Sequence, residues 1–235
     1  MKKMVFAMIT ILLVSCAELK KLGIPTDGSA ITIDEIVKAL KEALGNGTTK
    51  GSNLLSQIDG YYKSPYKIFI PSEAQNVIDK LKFIPGFSNL EEQLTIKLNR
   101  AAEQAATKAA PIFLNAITNM TFADAKSILM GPDTAATTYL KNQTYQALYN
   151  EFQPIILQSL NEVKAADLWD KAITAYNKIP LIAKVNPRLD DYVTNQALKG
   201  LFGMVAKEET GIRHDISLRT SDLLKKVFGQ QDKGN

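Results

Sequence analysis

Hydrophobic residues recur at helical spacing along most of the chain beyond residue 31. The apolar positions between Ile33 and Leu44 lie three or four residues apart, as they do on one face of an α-helix. Thr32 and Glu35 form a capping box ahead of them, and Gly45 is predicted to end the helix. The same signals predict further helices at 72–84, 90–120, 121–131, 134–141, 145–163, 166–177, 189–213 and 218–228.

Signals for β-strands are thin. Residues 67–70 have β-like composition, but Pro65 and Pro71 flank them and limit them to an edge strand or an extended connector. We therefore predict an all-α, single-domain bundle of about eight to ten helices over residues 31–230. Residues 231–235 are expected to form a disordered tail.

The run at 90–120 is predicted to be the central helix, because its small side chains let neighbouring helices approach its backbone. The alanines concerned are Ala101, Ala102, Ala105, Ala106, Ala109 and Ala110. Pro111 and Pro154 lie inside predicted helices, where each should cause a kink or a restart. Kinks of this kind usually shape a helix around a core, and we interpret them as structural rather than functional.

The N-terminus carries the pattern of an export signal. Lys2 and Lys3 precede an uncharged stretch at 4–15, which has the length of a signal-peptide core and is too short to span a bilayer. The stretch ends in Leu-Val-Ser and then Cys16, which resembles the lipobox of bacterial lipoproteins. A free cysteine behind an ordinary signal is the alternative, but it does not explain why the only cysteine lies at this boundary.

The resemblance implies that residues 1–15 are removed and that Cys16 is acylated, which would hold the protein on a membrane. Residues 16–30 are rich in Gly, Pro and polar residues and are predicted to be a flexible tether. Ala17 suggests the outer membrane by resemblance to enterobacterial sorting rules. The expected location is therefore the bacterial cell envelope, as an outer-membrane lipoprotein that faces the periplasm.

Charge and cysteine content narrow the possible partners. Removing residues 1–15 takes Lys2 and Lys3 from the 28 basic residues, which leaves 26 against 24 acidic ones. Such a balance does not favour nucleic-acid binding, which needs a concentrated basic face. One cysteine allows no intramolecular disulfide, so the fold depends on its core, and 46% hydrophobic residues are sufficient for one.

The pattern of reactive residues favours neither a metal site nor a cofactor. His214 is the single histidine, and its neighbours Arg213 and Asp215 suggest a solvated or capping role. The 13 glycines form no phosphate-binding fingerprint. The adjacent carboxylates at 190–191 and 208–209 point in different directions on a helix and are interpreted as solvated faces.

One polar group remains, in the middle of the alanine-rich helix. Asn99, Arg100 and Glu103 lie three or four positions apart and can therefore share one side of it. This side is interpreted as part of a buried polar network with residues of the last helices, as a solvated face, or as a ligand or catalytic site. The candidate network partners are Glu208, Glu209, Arg213 and Arg219.

Longer blocks of the sequence are similar to a known family. They read LNRAAEQAATKAAPIFLNAITNMTFADAKSILMGPDTAATTYL, YNEFQPIILQSL, LDDYVTNQALKGLFGMVAKEETGIR and RTSDLLKKVFG. Together they resemble the bacterial domain of unknown function 4197 over about residues 35–228. The resemblance implies a single helical domain in exported bacterial proteins and implies no reaction, cofactor or catalytic residue.

Two functional hypotheses follow. The first is a lipid-anchored, non-catalytic module that binds an envelope protein or an apolar ligand between its helices. Eight aromatic residues are candidates for lining such a groove, although rings of this kind more often belong to the core: Tyr61, Tyr62, Tyr66, Phe69, Tyr139, Tyr145, Tyr149 and Trp169. The second is a carboxylate-dependent hydrolase of envelope material, with Glu103 as general acid or base and Arg100 as the group that steers an anion.

Overall fold

The computed structural model describes residues 31–83, 85, 87–162, 165–181, 189–229 and 232, apart from the side chain of Glu73. The predicted signal, lipidated Cys16 and tether lie outside the described residues. The described helices are α1 (Ile33–Ser56), α2 (Ser72–Leu81), α3 (Leu90–Ala106), α4 (Ala109–Thr118), α5 (Phe122–Leu129), α6 (Ala135–Glu162), α7 (Ala165–Asn177), α8 (Leu189–His214) and α9 (Asp222–Phe228). A single 3₁₀ turn, Ile216–Leu218, joins α8 to α9. The prediction of an all-α single domain is confirmed, and the described residues contain no strand.

The central position predicted for the alanine-rich helix is the one that α3 occupies. It packs against α1, α2, α6, α7 and α8. Its alanines at 101, 102, 105 and 106 are completely buried. Side chains of this size let five neighbours come close to one backbone. The long helices α6 and α8 pack along each other and complete the core with α1.

The predicted break near Pro111 is confirmed. The run at 90–120 divides at residues 107–108, and Pro111 is the third residue of α4, where its missing N–H breaks no intrahelical bond. Pro154 behaves differently. It lies inside α6, which continues past it to Glu162. The predictions of separate helices at 134–141 and 145–163 are therefore wrong, since one continuous helix runs from Ala135 to Glu162.

The predicted end of the first helix at Gly45 is also wrong, because α1 continues to Ser56. Its capping box is present, with the Glu35 N–H donating to the Thr32 hydroxyl and the Thr32 N–H to the Glu35 carboxylate. The later glycines let α1 lie close to α8. A Cβ atom at Gly51 would lie 2.9 Å from Cγ of Met204, and one at Gly47 would lie 3.3 Å from Cβ of Glu208. These glycines therefore serve packing between helices and do not end a helix.

At the other end of the chain, the helix predicted from residue 218 begins at Asp222 instead. Ser221 is its N-cap and accepts a hydrogen bond from the Leu224 N–H. None of the helices in the described part of the chain is long and apolar enough to cross a bilayer.

Candidate functional site

Asn99, on α3, holds the connector between α1 and α2. It is completely buried, and its amide oxygen accepts a hydrogen bond from the Ile68 N–H at 2.8 Å. Its amide nitrogen donates to the carbonyls of Ile68 at 2.8 Å and Thr95 at 2.7 Å. The side chain thus pairs with extended backbone as a neighbouring strand would. Residues 67–70, predicted to be an edge strand or extended connector, are part of this connector, which spans residues 57–71.

Glu103 and Arg100 fasten the beginning of the same connector. One carboxylate oxygen of Glu103 accepts hydrogen bonds from the N–H groups of Tyr61 at 3.1 Å and Tyr62 at 3.3 Å. The other accepts a 2.6 Å bond from Arg100, which also donates to Asp59 at 2.6 Å. Lys63 and Arg100 together hold the pKa of the Asp59 carboxyl below its usual value. The buried carboxylate of Glu103 is therefore occupied on both oxygens.

A second polar group joins the ends of three helices. Glu209 and Arg213, on α8, form an ion pair with an N–O distance of 3.1 Å, and each side chain is 5% exposed. The Glu209 carboxylate accepts bonds from the N–H groups of Ala136 and Thr137, in the first turn of α6. Arg213 donates to the carbonyl of Ile128, in the last turn of α5. Each charge therefore satisfies backbone groups that a helix end leaves unpaired.

A third polar group closes the C-terminal end of α8. Arg219 is 2% exposed and donates to the backbone carbonyls of Ile212 and Arg213. Its remaining donors make a two-point contact with Asp232, at 2.6 and 2.8 Å. The bond to Arg219 lowers the pKa of the Asp232 carboxyl below its ordinary value.

The predicted candidates thus divide into three groups. One of the three interpretations joined the α3 residues to the last helices in a single buried network, whereas in the structure Asn99 and Glu103 bind the connector between α1 and α2. Glu208 belongs to none of the three and forms a 2.7 Å ion pair with Lys50 of α1. Sequence reasoning missed Asp59 and Asp232. The Asp59-Gly60 pair is a turn signal that marks the first, whereas no local signal marks the second.

A groove lies on the surface between α1, the C-terminal part of α8, the 3₁₀ turn and the start of α9. The groove is open to solvent on one side and has a volume of about 590 Å³. The α1 wall includes Asn46, Lys50 and Asn53, and the opposite wall includes Leu218 and Leu224. The Lys50–Glu208 ion pair joins α1 to α8 at the groove and balances its charge.

A family model described as protein of unknown function, DUF4197, matches residues 30–229. The chain belongs to this family. No curated protein and no solved structure matches it. The matched region of this DUF4197 chain contains both walls of the groove and every member of the three polar groups except Asp232.

The aromatic residues proposed as groove-lining lie elsewhere in this DUF4197 domain. Tyr61 and Trp169 are buried in the core, and the Tyr61 hydroxyl donates to the Ala197 carbonyl at 2.7 Å. Phe69 is 66% exposed, and the Lys67 ammonium lies 5.5 Å from the centre of its ring. None of the eight lines the groove in the described residues.

The remaining polar candidates have local partners. His214 lies 2.8 Å from Asp133, and both side chains are about half exposed. Asp190 is buried and accepts a bond from Gln153, whereas Asp191 contacts the Tyr149 hydroxyl. Glu208 and Glu209 also point to different partners, but Asp190 and Glu209 are buried and are not the solvated faces that the sequence suggested. Among the described residues, no cluster of three or more His, Cys, Asp or Glu side chains is suited to a metal ion.

Proposed function

We propose that this chain is a lipid-anchored, non-catalytic binding module of the bacterial cell envelope, held by Cys16 on the periplasmic face of the outer membrane. The groove between α1, α8 and α9 is the observation that carries the proposal. Its volume and its mixture of hydrogen-bonding and apolar walls suit recognition of a partner. Family membership is consistent with the proposal and leaves the biochemical role open.

The arrangement of the buried charges supports a non-catalytic role. A general acid or base must exchange a proton with a substrate within hydrogen-bond distance. Both oxygens of Glu103 already accept bonds from the protein, and its side chain is 4% exposed. Arg100 is likewise held between Glu103 and Asp59. These contacts favour a structural role for the pair over the alternative of a carboxylate-dependent hydrolase.

The lipid anchor is supported by the sequence around Cys16. An uncharged stretch follows Lys2 and Lys3 and ends in a lipobox-like Leu-Val-Ser-Cys. One acyl chain gives only marginal membrane binding, whereas two or three chains on one residue hold a protein stably on a bilayer. The tether at 16–30 then connects the lipid to the helical domain.

Metabolic labelling with a palmitate analogue tests the anchor. We expect the wild-type chain to carry the label and to fractionate with membranes, and we expect Cys16→Ala to lose both properties. Glu151→Gln, an exposed change on α6 that leaves Cys16 and its neighbours unaltered, is the control and should keep both properties. An unlabelled wild-type chain, or a Cys16→Ala chain that stays equally firmly in the membrane fraction, would contradict the anchor.

Native mass spectrometry of the full chain after gentle detergent extraction tests the binding role. We expect a bound protein or small molecule in the wild-type spectrum. We expect its occupancy to fall in an Asn46→Ala/Asn53→Ala variant, which shortens two groove side chains. A ligand-free monomer with no co-purifying partner would count against a binding module.

A further inference from the structure

We propose that Arg219 forms a carboxylate-binding site at the C-terminal end of α8, and that Asp232 fills this site as an exchangeable ligand from within the chain. The Asp232 carboxylate contacts both terminal nitrogens of the guanidinium, Nη1 at 2.6 Å and Nη2 at 2.8 Å. Arg219 is 2% exposed, whereas the Asp232 side chain is 36% exposed. Neither residue lines the groove, so this site is separate from the one proposed above.

The guanidinium is held by backbone along its other edge. Nε donates to the carbonyl of Ile212 at 3.0 Å, and Nη2 donates to that of Arg213 at 2.7 Å. These carbonyls belong to the last turn of α8, where a helix leaves such groups unpaired. The planar guanidinium therefore has a fixed orientation, and its outer edge presents N–H donors in the geometry that matches a carboxylate. The fold thus builds the receiving half of a carboxylate contact.

The buried guanidinium needs a full negative charge beside it. Arginine stays protonated in proteins, and a buried charge is costly unless it is paired. Two other acids are close in sequence: the Asp215 carboxylate accepts bonds from the N–H and hydroxyl of Ser217, and Asp222 is fully exposed to solvent. Among the described residues, Asp232 is the acid whose carboxylate contacts Arg219. The charge of Arg219 is therefore balanced by one residue near the end of the chain.

Arg213, on the same helix, has a permanent partner for comparison. Its counter-charge, Glu209, lies one turn earlier on α8, and both side chains are 5% exposed. Asp232 instead follows α9 and lies beyond residue 229, where the family match ends. The matched domain thus supplies the guanidinium and the carbonyls of the site but not the carboxylate. Because Asp232 is partly exposed, an external carboxylate can reach the outer edge of Arg219 when Asp232 leaves it.

The surroundings of the site favour a carboxylate over a phosphate group. The two-point contact with Arg219 suits the two oxygens of a planar carboxylate. The bond to Asp232 and, more weakly, the charge of Asp215 raise the pKa of Arg219 above its usual value. The Asp215 carboxylate would repel the higher charge of a phosphate more strongly than the single charge of a carboxylate. We therefore expect acetate to bind better than phosphate.

Chemical rescue of an Asp232→Ala variant tests the proposal. The full chain in detergent is heated at neutral pH in about 0.2 M sodium chloride or sodium acetate, and circular dichroism gives the Tm. We expect the Tm of the variant to fall by about 3–8 °C in chloride, because Arg219 loses its counter-charge. Acetate should return about 2–4 °C of this loss, as expected for a free ligand with a Kd of about 50 mM.

Controls separate binding from a general effect of salt. Wild type and Asp170→Ala, an exposed change on α7, should each differ by less than about 1 °C between the two salts. Sodium phosphate of equal ionic strength should raise the Tm of Asp232→Ala less than acetate does. A variant that does not fold in chloride should fold when acetate is added.

An unchanged Tm of Asp232→Ala in chloride would overturn the proposal, because Arg219 would then need no carboxylate. Equal Tm values of this variant in the two salts, or an equal effect of acetate on wild type, would overturn it too, since no free carboxylate would be entering the site. A larger effect of phosphate than of acetate would overturn the ligand class. None of these outcomes affects the binding role proposed for the groove.

Discussion

At the scale of single residues, buried polar side chains hold loop backbone in place through hydrogen bonds. Glu103 is the clearest case, because its carboxylate accepts the N–H groups of Tyr61 and Tyr62 and the guanidinium of Arg100. A buried carboxylate is costly unless it is paired and hydrogen-bonded. Glu103 meets both conditions, and its hydrogen bonds to Tyr61 and Tyr62 fix the path of the connector between α1 and α2.

We expect Glu103→Gln to lower the free energy of unfolding by about 1–3 kcal/mol, because a neutral amide cannot replace the ion pair and presents donors to Arg100. Urea unfolding followed by circular dichroism measures the change. Glu151→Gln, on an exposed part of α6, is the control and should change it by less than about 0.5 kcal/mol. A stable Glu103→Gln chain that loses a cellular phenotype would instead favour the catalytic alternative.

At the scale of secondary-structure elements, glycine has opposite consequences in α1 and α8. Both helices continue through glycines, which on local propensity alone are unfavourable in a helix. In α8, Gly200 lies against the ring of the buried Tyr61, and a Cβ atom there would lie 2.8 Å from Cε1. At Gly45 of α1, the nearest side-chain atom would be Cδ2 of Leu114, at an ordinary 3.7 Å.

The two positions should therefore respond oppositely to alanine. Gly45→Ala should raise the free energy of unfolding by about 0.5–1 kcal/mol through helix propensity. Gly200→Ala should lower it by about 1–2 kcal/mol, since the overlap with Tyr61 outweighs that gain. Thermal unfolding of the two variants side by side checks the sign. Stabilisation by both would show that Tyr61 moves aside without cost.

At the scale of the whole molecule, ion pairs join elements that are distant in sequence. The Glu209–Arg213 pair of α8 connects the end of α5 to the start of α6. Arg219 closes α8 with the help of Asp232. The neighbouring Glu208 reaches α1 at the groove, through a Lys50 side chain that is 55% exposed. The cations paired with the two adjacent glutamates thus differ in exposure, at 5% for Arg213 and 55% for Lys50, and the two ion pairs join different elements.

This difference predicts unequal costs for the same substitution. Glu209→Gln should lower the free energy of unfolding by about 3–5 kcal/mol, because it leaves the buried Arg213 without a counter-charge. Glu208→Gln should cost about 0–1 kcal/mol, as expected for a solvent-screened pair. Calorimetry of both variants compares them directly. Equal losses of unfolding free energy would mean that burial does not make the Glu209–Arg213 pair more stabilising than the Lys50–Glu208 pair.

The sequence by itself determined the helical class, the single domain, most helix starts and the break near Pro111. These follow from capping residues and apolar spacing, which act within a few residues of the chain. The same local rules failed at Gly45, because the later part of α1 packs against α8 at Gly47 and Gly51 and the helix therefore continues past Gly45.

Only the tertiary structure decided the partners of the polar residues and the existence of the groove. Asn99 meets Ile68 across 31 residues, Glu103 meets Tyr61 across 42, and Lys50 meets Glu208 across 158. Periodicity assigns a side chain to a face of its own helix but does not say which element will cover that face. The groove arises for the same reason, since α1, α8 and α9 come together only when the whole chain has folded.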